Sequence, residues 1–170
     1  MVWALVQSYQ FSYNDKYKSK PFMDSFPVNE SAANFVDYRL SLEHMKAMKN
    51  TSTMWRATCN FDAQMKITND NRVESTFDYF DILSKYKDDC VKVCSISIAG
   101  TSCKDCTVGI QQAPFIALFL NMQLSSDYGC GFKKAGNSAH YFGFYGVRDS
   151  SFPCVSTLSS STQWWIGGPI

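Results

Sequence analysis

Apolar and polar residues alternate with a period of two along much of this chain. Residues 53–61 run Thr-Met-Trp-Arg-Ala-Thr-Cys-Asn-Phe. Trp55, Ala57, Cys59 and Phe61 fall on one side; Met54, Arg56, Thr58 and Asn60 fall on the other. That is the pattern of a half-buried strand. Residues 2–9, Val-Trp-Ala-Leu-Val-Gln-Ser-Tyr, read as an opening strand. Phe77 to Leu83 and Val91 to Ala99 read as further strands, the latter rich in Val and Ile. A cysteine-rich loop follows, then an apolar segment from Pro114 to Leu124. His140–Val147 is one more strand candidate, and Gln163-Trp164-Trp165-Ile166-Gly167-Gly168 closes the chain.

A helical spacing occurs once. From Ser41 the order Ser-Leu-Glu-His-Met-Lys-Ala-Met-Lys places Leu42, Met45 and Met48 on one face. Ser41 can cap the free amides and Asn50 ends the turn. The Met stripe reads as core packing, and His44 falls on the solvent side. Residues 10–37 show neither period, and predict an irregular segment clasped by Phe11, Phe22, Phe26 and Phe35. No repeat or linker divides the chain. The expectation is a single α+β domain over 1–170, with a twisted, mostly antiparallel sheet, few short helices and long loops.

Composition narrows the function classes. With 45% apolar and 15% aromatic residues in 170, the chain can bury a real core. The formal charge is +1 and the cations are scattered, which argues against nucleic acid. The apolar runs are too short to span a bilayer, so no membrane insertion is expected. The opening strand starts almost at Met1, so the chain is read as a piece whose upstream segment is missing.

Seven cysteines, all from residue 59 onward, change the picture. Such density suits disulfides in an oxidising compartment, and the odd count leaves one thiol over. Cys90, Cys94, Cys103, Cys106, Cys130 and Cys154 are read as the bonded set. Cys59, remote from the others, is read as the free one. The pairs Cys90/Cys94 and Cys103/Cys106 also permit a zinc knuckle, and Cys103/Cys106 alone a redox pair. Structural disulfides are the preferred reading, with no metal or cofactor; a cytosolic chain with free thiols is the alternative. Asn29-Glu30-Ser31 and Asn50-Thr51-Ser52 are glycosylation acceptors in form and fit a secreted or cell-surface protein.

The strand Val2-Trp3-Ala4-Leu5-Val6-Gln7 and the segment Asp37-Tyr38-Arg39-Leu40-Ser41-Leu42-Glu43-His44-Met45 resemble the opening of fibrinogen-related domains. Trp55-Arg56-Ala57-Thr58-Cys59 is similar to the strand that follows there. Gly143-Phe144-Tyr145-Gly146 and Trp164-Trp165 resemble that family's late aromatic and glycine motifs, in a divergent, cnidarian-like form. The resemblance implies a fibrinogen C-terminal-like fold, extracellular recognition, and a calcium loop just before a late cysteine. Here the segment before Cys130 holds one carboxylate, Asp127, where calcium wants six to eight oxygens. That departure puts the family's calcium site and the acetyl-sugar pocket beside it in doubt.

Catalytic chemistry finds little support. His44 and His140 are the only histidines, and no serine or cysteine stands in an activating motif. Asp78/Asp81 and Asp88/Asp89 read as solvated surface. The C-terminal third instead offers aromatic faces among amides and hydroxyls: Asp127, Tyr128, Asn137 and His140, then Tyr141, Tyr145, Trp164 and Trp165. Arg148 and Asp149 add charge nearby. Such groups suit a glycan or an extracellular protein, although the tryptophans equally suit a core. The expectation is a non-catalytic recognition or adhesion domain; the alternatives are a pocketless structural module and a small secreted enzyme.

Overall fold

The computed structural model of the chain describes residues 1–136 and 138–169. Among these, nine strands join in a single sheet: β1 Val2–Gln10, β2 Asp37–Arg39, β3 Met54–Cys59, β4 Arg72–Thr76, β5 Lys87–Ile98, β6 Thr101–Ala113, β7 Ile116–Asn121, β8 His140–Tyr141 and β9 Ser161–Gly168. The helices are short: α1 Asn14–Tyr17, α2 Leu42–Lys49, α3 Phe61–Gln64 and α4 Met122–Asp127. Strand order is β2-β1-β9-β3-β4-β5-β6-β7-β8, and every pair is antiparallel. With three disulfides, this is a small disulfide-rich α+β domain. None of its helices is long and apolar enough to cross a membrane.

Register assigns each strand its two faces. Ala57 stands between Trp164 of β9 and Val73 of β4, Val73 faces Ile96, and Ile96 faces Cys103. That apolar row lies under the core. The alternate positions form polar rows on the other face: Trp165–Arg56–Glu74–Ser95–Lys104 and Gln163–Thr58–Arg72–Ser97–Ser102. The period-two reading of residues 54–59 therefore holds. Arg56 and Thr58 are nonetheless buried, because Trp3 and Trp165 stack on the Arg56 guanidinium at 4.1 and 5.2 Å. Gly167 makes this possible: a Cβ there would lie 2.9 Å from the Trp3 ring.

The capped helix forms as expected. The Ser41 side chain accepts from the amide of His44, Met45 is fully buried, and Leu42 and Met48 pack on the core. Glu30 accepts from the Ser41 amide at 2.7 Å and meets His44 Nδ1 at 2.5 Å. These contacts hold the Glu30 carboxyl down at about 2.

Three expectations fail, each for a tertiary reason. Phe77–Leu83 is a run of turns rather than a strand. It buries Phe80, Ile82 and Leu83, and the Phe80 carbonyl accepts from Trp55 Nε1. Asp81 in that run is paired with Lys49 rather than merely solvated. The supposed cysteine-rich loop is most of β6, paired along its length with β5. The strand at 140–147 stops after Tyr141, because Phe142 takes a left-handed backbone (φ 61°) that turns its ring into the core.

One buried cation ties the irregular segment to the sheet. Arg39 is fully buried and stacks on Phe22, whose ring meets Trp164 edge to face. Its guanidinium donates to Gln7 Oε1 and to the carbonyls of Lys20, Pro21 and Asp24. Burial lowers its pKa to about 10, so it stays charged at neutral pH. Arg39→Met leaves those acceptors buried without a donor, which costs about 3 kcal/mol or more. Urea unfolding measures this; a loss below about 1 kcal/mol would show that water reaches the four oxygens.

Candidate functional site

Three cross-links frame the surface. Cys59–Cys154 joins the end of β3 to the turn that precedes β9, with Cα atoms 4.6 Å apart. Cys90–Cys130 ties β5 to the exit of α4, at 5.6 Å. Cys103–Cys106 closes a short loop within β6, at 6.2 Å. Two sequence expectations are corrected here. Cys59 is bonded and not free: β3 runs antiparallel beside β9, which brings the turn at Cys154 back to its end. Cys94, expected in a disulfide, is the free thiol. Burial and the nearby Asp105 push the Cys94 thiol up, so it resists becoming a nucleophilic thiolate. The zinc arrangement of Cys90, Cys94, Cys103 and Cys106 falls with this pairing.

The C-terminal loops do form a cleft. One cavity of about 290 Å³ is lined by Ser138, Ala139, His140, Tyr145, Gly146 and Val147. A second, about 270 Å³, shares Ser138 and Val147 and adds Arg148, Asp149 and Ser150. His140 stands at the edge of the sheet in β8, with its ring against Phe119 and Phe144 at 5.0 and 5.5 Å. Burial holds its imidazole below the ordinary value, so it is neutral at physiological pH. Tyr145 borders the cavity but is corrected from a ligand contact to packing: it is 2% exposed, its ring lies against Phe152 and its hydroxyl is paired with Thr162 Oγ1 at 2.9 Å inside the core. Asp149 accepts from the amide and hydroxyl of Ser151, while its Oδ2 is buried without a partner.

The other predicted ligand residues lie elsewhere. Trp164 is 1% exposed and packs against Trp55 and Phe22, and Trp165 covers Arg56 beside Phe61; both belong to the interior. Tyr141 is likewise buried, edge-on to Phe152. These three are corrected from ligand contacts to packing, because β9 runs through the middle of the sheet and Tyr141 faces inward from β8. Asp127 and Tyr128 are exposed where α4 ends, beside the Cys90–Cys130 bridge. Asn137 lies outside the described residues. Asn29 and Asn50 are both exposed; the Asn29 amide donates to the Asp37 carbonyl.

Sequence reasoning missed a cavity larger than either half of the C-terminal cleft. It measures about 550 Å³ and opens on the polar sheet face over β4, β5 and β6. Asn69, Arg72, Ser95, Ser97, Ser102 and Lys104 line it, together with Ile96 and Cys103 of the adjoining apolar row. The signal was present in Ser95-Ile-Ser97 and Ser102-Cys-Lys104, where small polar residues alternate with core positions. Reading it required the register between β5 and β6.

Among the described residues no group of three or more His, Cys, Asp or Glu side chains converges as a metal ion would need. No family model matches the chain, and no curated protein or solved structure matches it either.

The cross-links should differ in weight. Removing Cys59–Cys154, which spans 95 residues, costs about 4 kcal/mol in the loop-closure model. Removing Cys103–Cys106, which spans 3, costs about 1–2 kcal/mol. Denaturant unfolding of the paired Cys→Ala variants checks the order. Alkylation of the unreduced, denatured chain should label Cys94 alone.

His140 predicts a pH dependence. Its folded pKa is depressed, so as pH falls the unfolded chain takes up the proton first. Its contribution is intact above the unfolded value of about 6.5 and is lost as pH falls from there through the folded value. His140→Phe should therefore lose less Tm than the wild type between roughly pH 7.5 and pH 5. Equal losses would remove His140 from the cause.

Proposed function

We propose that this chain is a non-catalytic extracellular recognition domain that binds a neutral glycan or a protein loop at the Ser138–Ser150 cleft. The observation that carries the reading is the cleft itself, held by a cross-linked frame. His140 offers an aromatic face backed by Phe144, Arg148 and Asp149 offer charges, and Ser138 offers a hydroxyl. Aromatic rings with a few polar groups suit sugar C–H faces and hydroxyls. Among the described residues, no carboxylate, serine or cysteine side chain hydrogen-bonds the His140 ring as a general base would need. The disulfides support an oxidising compartment, outside the cell or at its surface. The exposed acceptors Asn29 and Asn50 agree with that setting.

A distant fibrinogen-related origin belongs to the same proposal. Its support is the succession of β1, β2, α2 and the Trp55-bearing β3, in the order that the resemblance asks for.

Ser138 lines both halves of the cleft, so Ser138→Trp fills it without touching the core. On a glycan array and in extracellular protein binding screens, the wild type should find a ligand. Ser138→Trp should weaken that binding at least tenfold with unchanged Tm. A ligand that ignores the substitution, or background signal throughout, would refute the reading.

A further inference from the structure

We propose that the 550 Å³ cavity over β4, β5 and β6 is a second binding site, selective for a saccharide that carries a sulfate group. It is separate from the Ser138–Ser150 cleft and does not depend on that cleft's ligand.

The register builds the site. Arg72 faces Ser97, and Ser97 faces Ser102; Glu74 faces Ser95, and Ser95 faces Lys104. β5 thus forms a hydroxyl-bearing floor, with a guanidinium on one wall and an ammonium on the other. Walls two strands apart stand roughly 10 Å from each other, a span that one sugar ring and its substituent bridge. The volume falls within the range of small-ligand sites.

The lining groups have unused hydrogen-bonding capacity. Among the described residues, no hydrogen bond engages the Asn69 amide, the hydroxyls of Ser95 and Ser102, or the Lys104 ammonium. Arg72 meets one acid, Glu74, at 3.5 Å, which leaves most of its donors free. Asp70 stands beside the floor, where its carboxylate accepts from the Ser97 hydroxyl at 2.6 Å and from the Gly100 amide at 3.0 Å. Asp105 follows Lys104 in the chain and does not line the cavity.

Charge favours an anion. Glu74 lies in the row between Arg56 and Ser95, and Arg56 has no ion pair of its own. Arg56, Arg72 and Lys104 therefore outnumber the two carboxylates beside these rows, Glu74 and Asp70. Arg56 is 93% buried from its 7% exposure, and its Nε has no partner. Its charge thus acts in a poorly screened setting and raises the local potential.

The arrangement distinguishes between anions. Cations approach from two walls and hydroxyls from the floor, so the donors do not share a plane. A tetrahedral oxyanion presents oxygens to all three directions, whereas a planar carboxylate matches a single guanidinium fork. The serines and Asn69 then meet ring hydroxyls.

The test is direct binding to a heparin-derived sulfated oligosaccharide, its desulfated counterpart and a polyuronate of similar charge. The sulfated probe should bind, and more weakly as salt rises. Lys104→Gln should weaken it at least tenfold with unchanged Tm, since Lys104 is exposed and unpaired. Arg72→Gln should do the same, and Ser138→Trp should change nothing. Equal binding of the polyuronate or the desulfated probe would overturn the sulfate assignment. Absence of binding, or binding indifferent to Lys104→Gln and Arg72→Gln, would overturn the site. Neither result bears on the loop cleft, whose substitution is read separately.

Discussion

Everything in this fold depends on the last strand entering the middle of the sheet. β9 pairs with β1 on one side and with β3 on the other, and no other strand joins those two halves. All eight of its residues are buried. Without it, β2-β1 would be a two-strand ribbon and β3–β8 a sheet with a raw apolar edge, each poorly stable alone. The contacts that make β9 are almost maximally distant in sequence: Val2 faces Gly168. Such pairings form late and slowly, since loop closure precedes their reward. The Cys59–Cys154 bridge answers that difficulty, because it brings the turn before β9 to the end of β3.

The same insertion explains why the two sheet faces are unequal. Trp164 and Ile166 point to the thick side, where Arg39, Phe22 and α2 complete the core. Trp165 points to the thin side, where little chain remains to cover it. That side is closed by stacking: Trp3 lies across Gly167, and Arg56 sits between two indoles with its aliphatic stem buried. Toward β4, β5 and β6 this cover ends, and the polar rows meet solvent. The large cavity is therefore a consequence of topology: apolar cover is spent around β9, and hydroxyls and cations suffice where the sheet is open.

How much of this could be read in advance follows from the same distinction between local and distant causes. Local signals were legible. The Ser41 cap and the Leu42, Met45, Met48 stripe gave α2, and the apolar pattern gave β1 and β3 to within two residues at each end and β5 with its start four residues late, while 163–168 was read only as a terminal aromatic stretch and not as β9. Distant causes were not. Phe77–Leu83 has strand composition, yet the chain needs a turn there to cross from β4 to β5 over Trp55. Cys59 looked isolated because its partner is 95 residues away and adjacent only after β9 is placed. Trp164 and Trp165 carry the composition of a sugar site, but central strands bury both faces. His140, Arg148 and Asp149 could be singled out because they are neighbours in sequence; the β4–β6 cavity was missed because its residues cluster only in register.

The cross-links also show what kind of domain this can be. A sheet of nine strands with few helices has no second layer thick enough to clamp its long connections, so segments such as 128–136 and 142–160 have few ladder bonds to hold them. Two of the three bridges, Cys59–Cys154 and Cys90–Cys130, fasten such segments to the sheet. α4 lies against β6 at Gly109, where a Cβ would come within 2.5 Å of the Ser125 amide nitrogen, and the Gly109 amide donates to the Ser125 hydroxyl. Cys90, directly opposite Gly109, then bonds Cys130 as the chain leaves the helix. Close approach, hydrogen bond and covalent bridge act within a few residues of one another. Together they keep a loop-rich surface in one shape without a larger core. A surface held this way loses little entropy when a ligand binds, as the proposed recognition role asks of it.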